Sequence, residues 1–333
     1  MGAFFILLFV LAALLLGGLY LAGLRNAAKA AAAAPKIGQE TATRGGSIHW
    51  VESGPAEGRP VLCLHGLSGN LRHFTYALTP LLSDEFRVIA IDRPGCGYSR
   101  RRGAEDAPLP EQARMIADFL DREGVERPLV VGHSLGGALA LTLALDHPDK
   151  VSGLALLAPA TMPVEEVPPM FKALTVQSPG LRAFLGHTLI GALAPLKAEE
   201  TTRAVFAPET PPADFDAKAG GILAVTPRGY IVSSEDLVHG AGGAEALAAR
   251  YATELRAPGG VLYGAADAVI SPERHGRGFT KTAPSLRYEE IEGAGHMLPI
   301  LWPERCAAFI RAIARETAEN AAPQGASEAT PAQ

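Results

Sequence analysis

The sequence predicts an α/β fold: a mostly parallel central sheet of about eight strands with helices on both faces, an inserted helical lid and an N-terminal transmembrane helix. Three features lead to this prediction. Short apolar runs alternate with amphipathic helical patterns along most of the chain. A proline-rich tract over residues 159–242 interrupts that alternation. An uncharged apolar stretch over residues 3–24 precedes the whole alternating pattern.

The composition fits one large domain and limits the partners. The chain has 333 residues, 48% of them hydrophobic, and a formal net charge of −5 at pH 7. This acidic balance argues against a nucleic-acid partner, which would favour a basic face. Cys63, Cys96 and Cys306 are widely separated and form no C-x-x-C pair. We therefore expect buried, inert thiols, with no disulfide framework, metal site or cofactor.

The apolar stretch over residues 3–24 is long enough, at roughly 33 Å of helix, to cross a bilayer. A secretory signal usually has a basic start and a shorter apolar segment, and neither is present. The nearest basic residues all follow the stretch: Arg25, Lys29, Lys36 and Arg44. We predict an uncleaved single-span anchor over residues 1–25 with the globular body in the cytoplasm. Cleavage within residues 27–34, giving a periplasmic or secreted protein, is the alternative.

The first part of the core is predicted at residues 38–158, after a linker over residues 26–37. It begins with an antiparallel hairpin around Gly45-Gly46. Strands are then predicted at residues 60–64, 87–91, 128–131 and 151–157, with helices at residues 74–82, 110–124 and 138–147 between them. The basic run of Arg100, Arg101 and Arg102 is interpreted as a solvated turn, with contact to anionic headgroups as the alternative.

Residues 159–242 are predicted to form a helical lid over the carboxyl ends of the strands, where ligands bind in open α/β sheets. Its apolar residues indicate an apolar substrate or an entrance that faces a bilayer; packing of the lid onto the core explains them equally well. The core resumes over residues 243–316, with a helix at 244–255, strands at 260–263 and 286–291, and a last amphipathic helix. A disordered tail is predicted over residues 317–333.

The stretch Gly132-His133-Ser134-Leu135-Gly136 is a G-x-S-x-G pattern at a predicted strand-to-helix turn. A serine there occupies a strained backbone position, which requires the small residues Gly132 and Gly136 beside it. Its hydroxyl would then stand above the sheet near the free N–H groups of the helix. The pattern alone is also compatible with a glycine-rich turn that holds an incidental serine.

A serine hydroxyl becomes a nucleophile only with a base beside it and an acidic group that orients the base. Asp267 and His296 follow two later strands in glycine-flanked loops, so their side chains can meet Ser134 at one edge of the sheet. Asp236 is the rival acid. His133 competes poorly as the base, because side chains of adjacent residues diverge.

Two backbone N–H groups are expected to stabilise an oxyanion. The N–H of Leu135 follows the serine at a helix start, and the loop after the strand at 60–64 offers that of Leu67. We expect His65 and Gly66 to orient this loop.

From residue 38 to residue 314 the chain resembles an α/β-hydrolase-fold protein of the lid-bearing lipase/esterase and epoxide-hydrolase-like branch. The resemblance rests on His65-Gly66, Asp92-Arg93-Pro94-Gly95-Cys96-Gly97-Tyr98-Ser99, Gly132-His133-Ser134-Leu135-Gly136-Gly137, Gly264-Ala265-Ala266-Asp267 and Gly295-His296. It implies that Ser134 is the nucleophile, Asp267 the acid and His296 the base, with Leu67 and Leu135 as oxyanion donors. Epoxide hydrolases and haloalkane dehalogenases of this fold carry aspartate at the turn, so Ser134 favours acyl transfer.

These residues predict a serine hydrolase that cleaves carboxylic esters through an acyl-enzyme, acting on a small-molecule or lipid-like ester. The same three side chains also serve C–C bond hydrolysis, thioester hydrolysis and perhydrolysis. A protein that uses the lidded pocket only to bind a ligand is the alternative from another class.

Overall fold

The computed structural model describes residues 1–319, and it begins with one long helix, α1 (Gly2–Ala33). This helix has a window of mean hydropathy 2.7 and is long and apolar enough to cross a membrane. It extends through most of the predicted linker at residues 26–37. The alanines at residues 27–34 explain the difference, because alanine has the highest helix propensity and these residues continue an existing helix.

The core is a nine-stranded sheet. Its strands are β1 (Gln39–Thr43), β2 (Gly46–Ser53), β3 (Arg59–Leu64), β4 (Phe86–Ile91), β5 (Arg100–Arg101), β6 (Leu129–His133), β7 (Gly153–Leu157), β8 (Gly259–Gly264) and β9 (Leu286–Ile291). The order is β1-β2-β4-β3-β6-β7-β8-β9, with β5 paired to β2. The pairs from β4 to β9 are parallel, and the strands β1, β2 and β5 add antiparallel pairs. The predicted mostly parallel sheet is confirmed.

Helices cover the sheet and bury its central strands. In the first part of the chain they are α2 (Arg72–Thr75), α3 (Leu78–Leu82), α4 (Leu109–Arg122) and α5 (Leu135–Asp146). After the insertion they are α11 (Ala244–Glu254), α12 (Phe279–Thr282), α13 (Leu298–Leu301) and α14 (Pro303–Glu319). Every residue of β6, β7 and β8 is buried, as expected for parallel strands between two layers of helices.

Between β7 and β8 lies a long helical insertion, residues 159–242. Its α-helices are α6 (Pro179–Leu185), α7 (Gly191–Leu193), α8 (Ala198–Phe206), α9 (Phe215–Lys218) and α10 (Pro227–Gly242). A π-helical turn over Gly186–Ile190 joins α6 to α7, so the two helices form one helical run with a bulge inside it. The assignment of this insertion as a lid stays a prediction.

The end of α1 packs against the insertion. Gly23 lies beside Gly191 and Pro227, and the side chain of Asn26 donates hydrogen bonds of 3.0 and 3.2 Å to the carbonyl oxygens of Gly191 and Ala192. By contrast, residues from Phe4 to Leu16 leave large apolar side chains exposed. The N-terminal part of α1 is therefore apolar and exposed, and its C-terminal part is bound to the insertion.

Three local predictions differ from the structure. The helix predicted at residues 74–82 is split between α2 and α3 at Tyr76 and Ala77. Arg101 is almost completely buried in ion pairs, so the predicted solvated turn is wrong for this residue. Helix α14 extends to Glu319, past the predicted start of the disordered tail; residues 320–333 of that predicted tail lie outside the described residues.

All three cysteines are buried, free thiols, as expected. Burial raises the pKa of Cys96 to about 12, with a smaller opposing effect of Arg93, and it raises the pKa of Cys63 and Cys306 as well. A thiol with a raised pKa contains little thiolate near neutral pH and is therefore a poor nucleophile.

Candidate active site

Ser134 lies at the sharp turn between β6, which ends at His133, and α5, which begins at Leu135. Its backbone has φ 55° and ψ −122°, a conformation that residues other than glycine rarely adopt and that costs on the order of 1–3 kcal/mol. Three backbone hydrogen bonds hold it there: its N–H donates to Leu157, and its carbonyl accepts from Gly137 and Ala160. The strained turn predicted for this serine is present.

The neighbouring glycines are required by close backbone contacts. A Cβ atom on Gly132 would lie 2.5 Å from the carbonyl oxygen of Gly136, and one on Gly136 would lie 2.0 Å from that of Leu64. A Cβ atom on Gly66 would lie 2.9 Å from Cβ of Ser134. The loop after β3 therefore packs directly on the serine, which only a residue without a side chain at position 66 permits.

Asp267 and His296 lie together beyond the ends of β8 and β9. The Nδ1 atom of His296 is 2.7 Å from Oδ2 of Asp267, and both residues are buried. The other carboxylate oxygen, Oδ1, accepts hydrogen bonds of 2.8 and 3.0 Å from the backbone N–H groups of Val269 and Ile270. The carboxylate is thus fixed by its own loop and in turn fixes the imidazole.

Ser134 and His296 line the same cavity. Within residues 1–319 no hydrogen bond joins Ser134 Oγ to a ring nitrogen of His296. Such contacts are often long without a substrate and shorten when it binds. The structure therefore places Ser134 and His296 at one cavity and joins His296 to Asp267 by a hydrogen bond, while the catalytic roles of the three residues stay a prediction.

Leu67 and Leu135, the expected oxyanion donors, are half-buried residues in the wall of this cavity. The N–H of Leu135 belongs to the first turn of α5, which has no acceptor inside the helix. No protein acceptor for the N–H of Leu67 is found in the described part of the chain. Both groups are therefore available to a ligand bound near Ser134.

His65 fixes the loop that carries Gly66 and Leu67. Its Nδ1 lies 2.9 Å from the carbonyl oxygen of Gly66, and its Nε2 lies 2.9 Å from the backbone nitrogen of Arg93. A carbonyl only accepts and a backbone N–H only donates, so Nδ1 carries the proton and the ring is neutral. Burial, assisted by the charge of Arg93, holds the pKa of His65 well below its ordinary value. This geometry supports the orienting role expected for His65.

Three further histidines surround the site, and burial lowers the pKa of each. His133 donates from Nε2 to the carbonyl oxygen of His296 at 3.0 Å, which places it beside the base without a contact to Asp267. The pKa of His73 and that of His275 fall to about 4. Both line the cavity, and they contribute neutral polar groups to a mostly apolar wall.

The rival acid Asp236 belongs to a different cluster. Its buried carboxylate lies 2.9 Å from the guanidinium of Arg93 and pairs with Arg101 as well. Burial raises the pKa of Asp236, but the two arginines together hold it below the ordinary value. Both carboxylate oxygens are therefore engaged away from His296, and among the described residues Asp267 is the one carboxylate bonded to the ring of His296.

The cavity above Ser134 has a volume of about 940 Å³. The core contributes Ser134, His296 and the loop after β3, whereas the insertion contributes most of the apolar wall. Apolar residues that line it include Leu174, Leu193, Val205, Phe206, Phe215 and Leu247. Within residues 1–319 no group of three or more His, Cys, Asp or Glu side chains is placed to hold a metal ion.

Glu209 of the insertion was not identified from the sequence. Its carboxylate accepts a hydrogen bond of 2.9 Å from the backbone N–H of Gly295, next to His296, and it also contacts Trp302. The insertion thereby holds the loop of the candidate base. A lone glutamate in a proline-rich tract carries no sequence signal for this contact, since its partners lie in distant parts of the chain.

Comparison with known proteins gives a family and a fold. A family model described as alpha/beta hydrolase fold matches residues 59–302. Over 99 residues the chain is 42% identical to the dihydrolipoyllysine-residue acetyltransferase component of the acetoin cleaving system of Cupriavidus necator, covering 30% of this chain and 26% of that protein. The chain spans less than half the length of the curated relatives that it matches.

Two solved structures resemble nearly the whole chain. A thermophilic esterase from Thermogutta terrifontis has a TM-score of 0.67 at 24% identity, covering 84% of this chain and 99% of its own. A membrane phospholipase A described as a bacterial virulence factor has a TM-score of 0.65 at 22% identity, covering 96% of this chain and 99% of its own. At these identities the likeness shows the fold.

Proposed function

The chain belongs to the α/β hydrolase fold family, and we propose that it is a serine hydrolase that cleaves carboxylic esters through an acyl-enzyme. One observation supports this most strongly: His296, which is hydrogen-bonded to Asp267, lines the same cavity as the strained Ser134. In this arrangement a serine nucleophile, a base and an orienting acid occupy one site.

The chemistry follows from the tautomer of His296. Asp267 accepts a hydrogen bond from Nδ1–H, which leaves Nε2 without a proton and free to take the proton of Ser134 Oγ. The oxygen then attacks the ester carbonyl, and the N–H groups of Leu67 and Leu135 stabilise the oxyanion. The alcohol leaves with the proton from His296, and an acyl group remains on Ser134. A water molecule, deprotonated by His296, attacks the acyl carbon, and the acid leaves as Ser134 regains its proton.

Serine at position 134 favours acyl transfer over the reactions of family members with an aspartate nucleophile. An aspartate forms an alkyl ester with its substrate, whereas a serine hydroxyl forms an acyl ester with a carbonyl carbon. The two oxyanion donors fit the second reaction, because negative charge develops on the carbonyl oxygen of the substrate when Ser134 attacks.

An apolar, acyl-lipid-like ester is the substrate class that we propose. A cavity of about 940 Å³ lies at the upper end of the usual range for small-molecule sites, and most of its wall is aliphatic or aromatic. His73 in this wall is neutral, and the apolar majority of the wall favours an uncharged acyl or alcohol group over a charged one.

We further propose that α1 is an uncleaved anchor, with the globular body in the cytoplasm. The basic residues Arg25 and Lys29 follow the apolar part of α1. The insertion also exposes a set of large apolar side chains: Val164, Leu181, Phe184, Leu189, Leu193 and Leu196. A membrane phospholipase A shares this fold over almost the whole chain, which is in keeping with an anchored enzyme.

The test is labelling of the full-length chain with a fluorophosphonate probe, together with hydrolysis of p-nitrophenyl esters of increasing acyl length. We expect labelling and hydrolysis in the wild type and neither in Ser134→Ala. Ser83→Ala is the matched control, because Ser83 lies at the end of α3 outside the cavity and should leave both readouts unchanged.

Three outcomes would contradict the proposal in different ways. Ester hydrolysis by Ser134→Ala at the wild-type rate would remove Ser134 as the nucleophile. Labelling of Ser134 without hydrolysis of any carboxylic ester would indicate C–C bond, thioester or perhydrolase chemistry. A wild-type chain that is not labelled would indicate a protein that only binds its ligand, since an unactivated serine does not react.

A further inference from the structure

Arg93 is completely buried directly beneath the loop that carries the candidate oxyanion donor Leu67. Its Nε atom donates to the carbonyl oxygen of His65 at 2.8 Å, and its Nη2 atom donates to that of Gly66 at 3.2 Å. Its backbone N–H donates to Nε2 of His65. One residue therefore contacts His65 and Gly66 through three separate hydrogen bonds.

These contacts set the direction of the Leu67 N–H. Carbonyl and N–H of a trans peptide point in opposite directions, so the Gly66 carbonyl and the Leu67 N–H cannot both face Arg93. The Gly66 carbonyl is held by three donors: Arg93, Nδ1 of His65 and the backbone N–H of Gly69. The Leu67 N–H consequently points away from Arg93, and Leu67 itself lines the cavity with Ser134.

Arg93 is in turn held by the insertion. Its guanidinium lies 2.9 Å from the carboxylate of Asp236 on α10, with both side chains fully buried. Gln112 of α4 accepts from the remaining nitrogen of Arg93 at 3.0 Å. Because a buried arginine stays charged, removal of the Asp236 carboxylate leaves the charge of Arg93 uncompensated and removes the partner that fixes its position.

We propose that Arg93 is a positioning residue for the oxyanion hole. Through the ion pair of Asp236 with Arg93, the position of helix α10 determines the orientation of the Gly66–Leu67 peptide. This inference rests on the proposed function, since it assigns the Leu67 N–H to an oxyanion. It gives the insertion a further role besides lining the cavity and holding the loop of His296 through Glu209. An α10 helix displaced from Arg93 would leave Ser134, Asp267 and His296 in place but weaken stabilisation of the tetrahedral intermediate.

The experiment measures kcat and KM for p-nitrophenyl butyrate in the full-length wild type, Asp236→Asn and Arg93→Gln. Loss of one oxyanion donor costs about 100- to 1000-fold in kcat, so we expect a fall of at least about 100-fold in both variants. KM should change less than about threefold, because the donor acts mainly in the transition state. Affinity for phenylboronic acid, which forms a tetrahedral anion on an active serine, should fall by a factor similar to that of kcat.

Arg182→Gln is the matched control. Arg182 is also a buried arginine, but its contacts with Val176, Ser234 and Glu235 all lie within the insertion, and it lies outside the cavity wall. Its loss should destabilise the protein while kcat of the folded fraction stays within about threefold of the wild type. An equal fall in kcat for Arg182→Gln and Asp236→Asn would reduce the effect to general destabilisation and overturn the proposal.

A double variant, Arg93→Met with Asp236→Leu, guards against unfolding of the single variants, because replacing both members of a buried ion pair by apolar residues is often tolerated. We expect it to fold, by circular dichroism, and to show the same loss of kcat. A folded double variant with wild-type kcat contradicts the positioning role of Arg93 but leaves the proposed function standing. A wild-type chain that neither hydrolyses the ester nor reacts with a fluorophosphonate contradicts the proposed function and this inference with it.

Discussion

The Nδ1 atom of His296 lies 2.7 Å from Oδ2 of Asp267, and the second oxygen of that carboxylate is held by two backbone N–H groups. Asp267 therefore cannot rotate away from the imidazole without losing contacts on both oxygens. The pair is rigid before any substrate arrives, which is what orientation of a base requires.

Asp267→Asn should lower kcat by about 10⁴-fold while KM changes little, because an amide can donate to Nδ1 and stabilise the wrong tautomer of the base. Steady-state kinetics on an activated ester measures this. Asp214→Asn is the control: Asp214 pairs with Lys218 and Tyr76 at the surface, and its loss should leave kcat unchanged. Comparable activity in wild type and Asp267→Asn would remove Asp267 from the candidate triad.

Gly240→Leu should shift the acyl-length preference towards short chains. Gly240 is a residue of α10 that lines the cavity. A Cβ atom there would lie 3.7 Å from Cδ1 of Leu135, which also lines the cavity, so a leucine side chain at this position would occupy cavity volume. We expect kcat/KM for a p-nitrophenyl decanoate to fall at least about tenfold more than for the acetate, as for lost apolar contacts.

Gly180→Leu provides the comparison for this variant. Gly180 is an exposed glycine of α6 with open space around it and lies outside the cavity wall. It should leave the ratio of the two kcat/KM values unchanged. The same ratio in Gly240→Leu as in the wild type would show that acyl chains occupy another part of the protein.

Acidification should destabilise the fold between about pH 6.5 and pH 4. His73 and His275 have folded-state pKa values of about 4, and the pKa of His65 and of His133 is also lowered. In this window the unfolded chain binds more protons than the folded one, so the free energy of unfolding decreases as pH falls. Each such histidine contributes up to about 1.4 kcal/mol per pH unit.

Thermal unfolding at constant ionic strength from pH 7.5 to pH 4.5 measures this effect. His73→Leu should flatten the dependence because it removes one of the buried neutral rings. His187→Leu, which replaces an exposed histidine of the insertion, should leave the slope as in the wild type. A melting temperature that rises on acidification would contradict the prediction.

Gly23→Leu should loosen the insertion. The Cβ position of Gly23 is 3.5 Å from Gly191 and from Pro227, so a leucine overpacks the contact between α1 and the insertion. We expect faster hydrogen exchange at residues 186–193. Gly17→Leu is the control, since Gly17 lies on the same helix with open space around it. Equal exchange in the two variants would show that α1 does not support the insertion.

Much of the fold could be predicted from the sequence because its signals are local. A buried parallel strand appears as a short apolar run, as in β6 and β7, and the strained turn at Ser134 requires glycine at positions 132 and 136. The closeness of Asp267 and His296 could be predicted because each follows a parallel strand, and the carboxyl ends of parallel strands share one edge of the sheet.

The rest depended on contacts between distant residues. The sequence alone determined the family of fold, the strained serine and the candidate residues Asp267 and His296, because each is marked by the chemistry of a few adjacent residues. Only the tertiary structure decided that Arg101 is buried, that Asp236 pairs with Arg93 instead of His296, and that Glu209 holds the loop of His296. A charged side chain far along the chain can serve as a surface group or as a buried counter-ion. Which one it becomes is set by the electrostatic energy of the partner that folding brings to it.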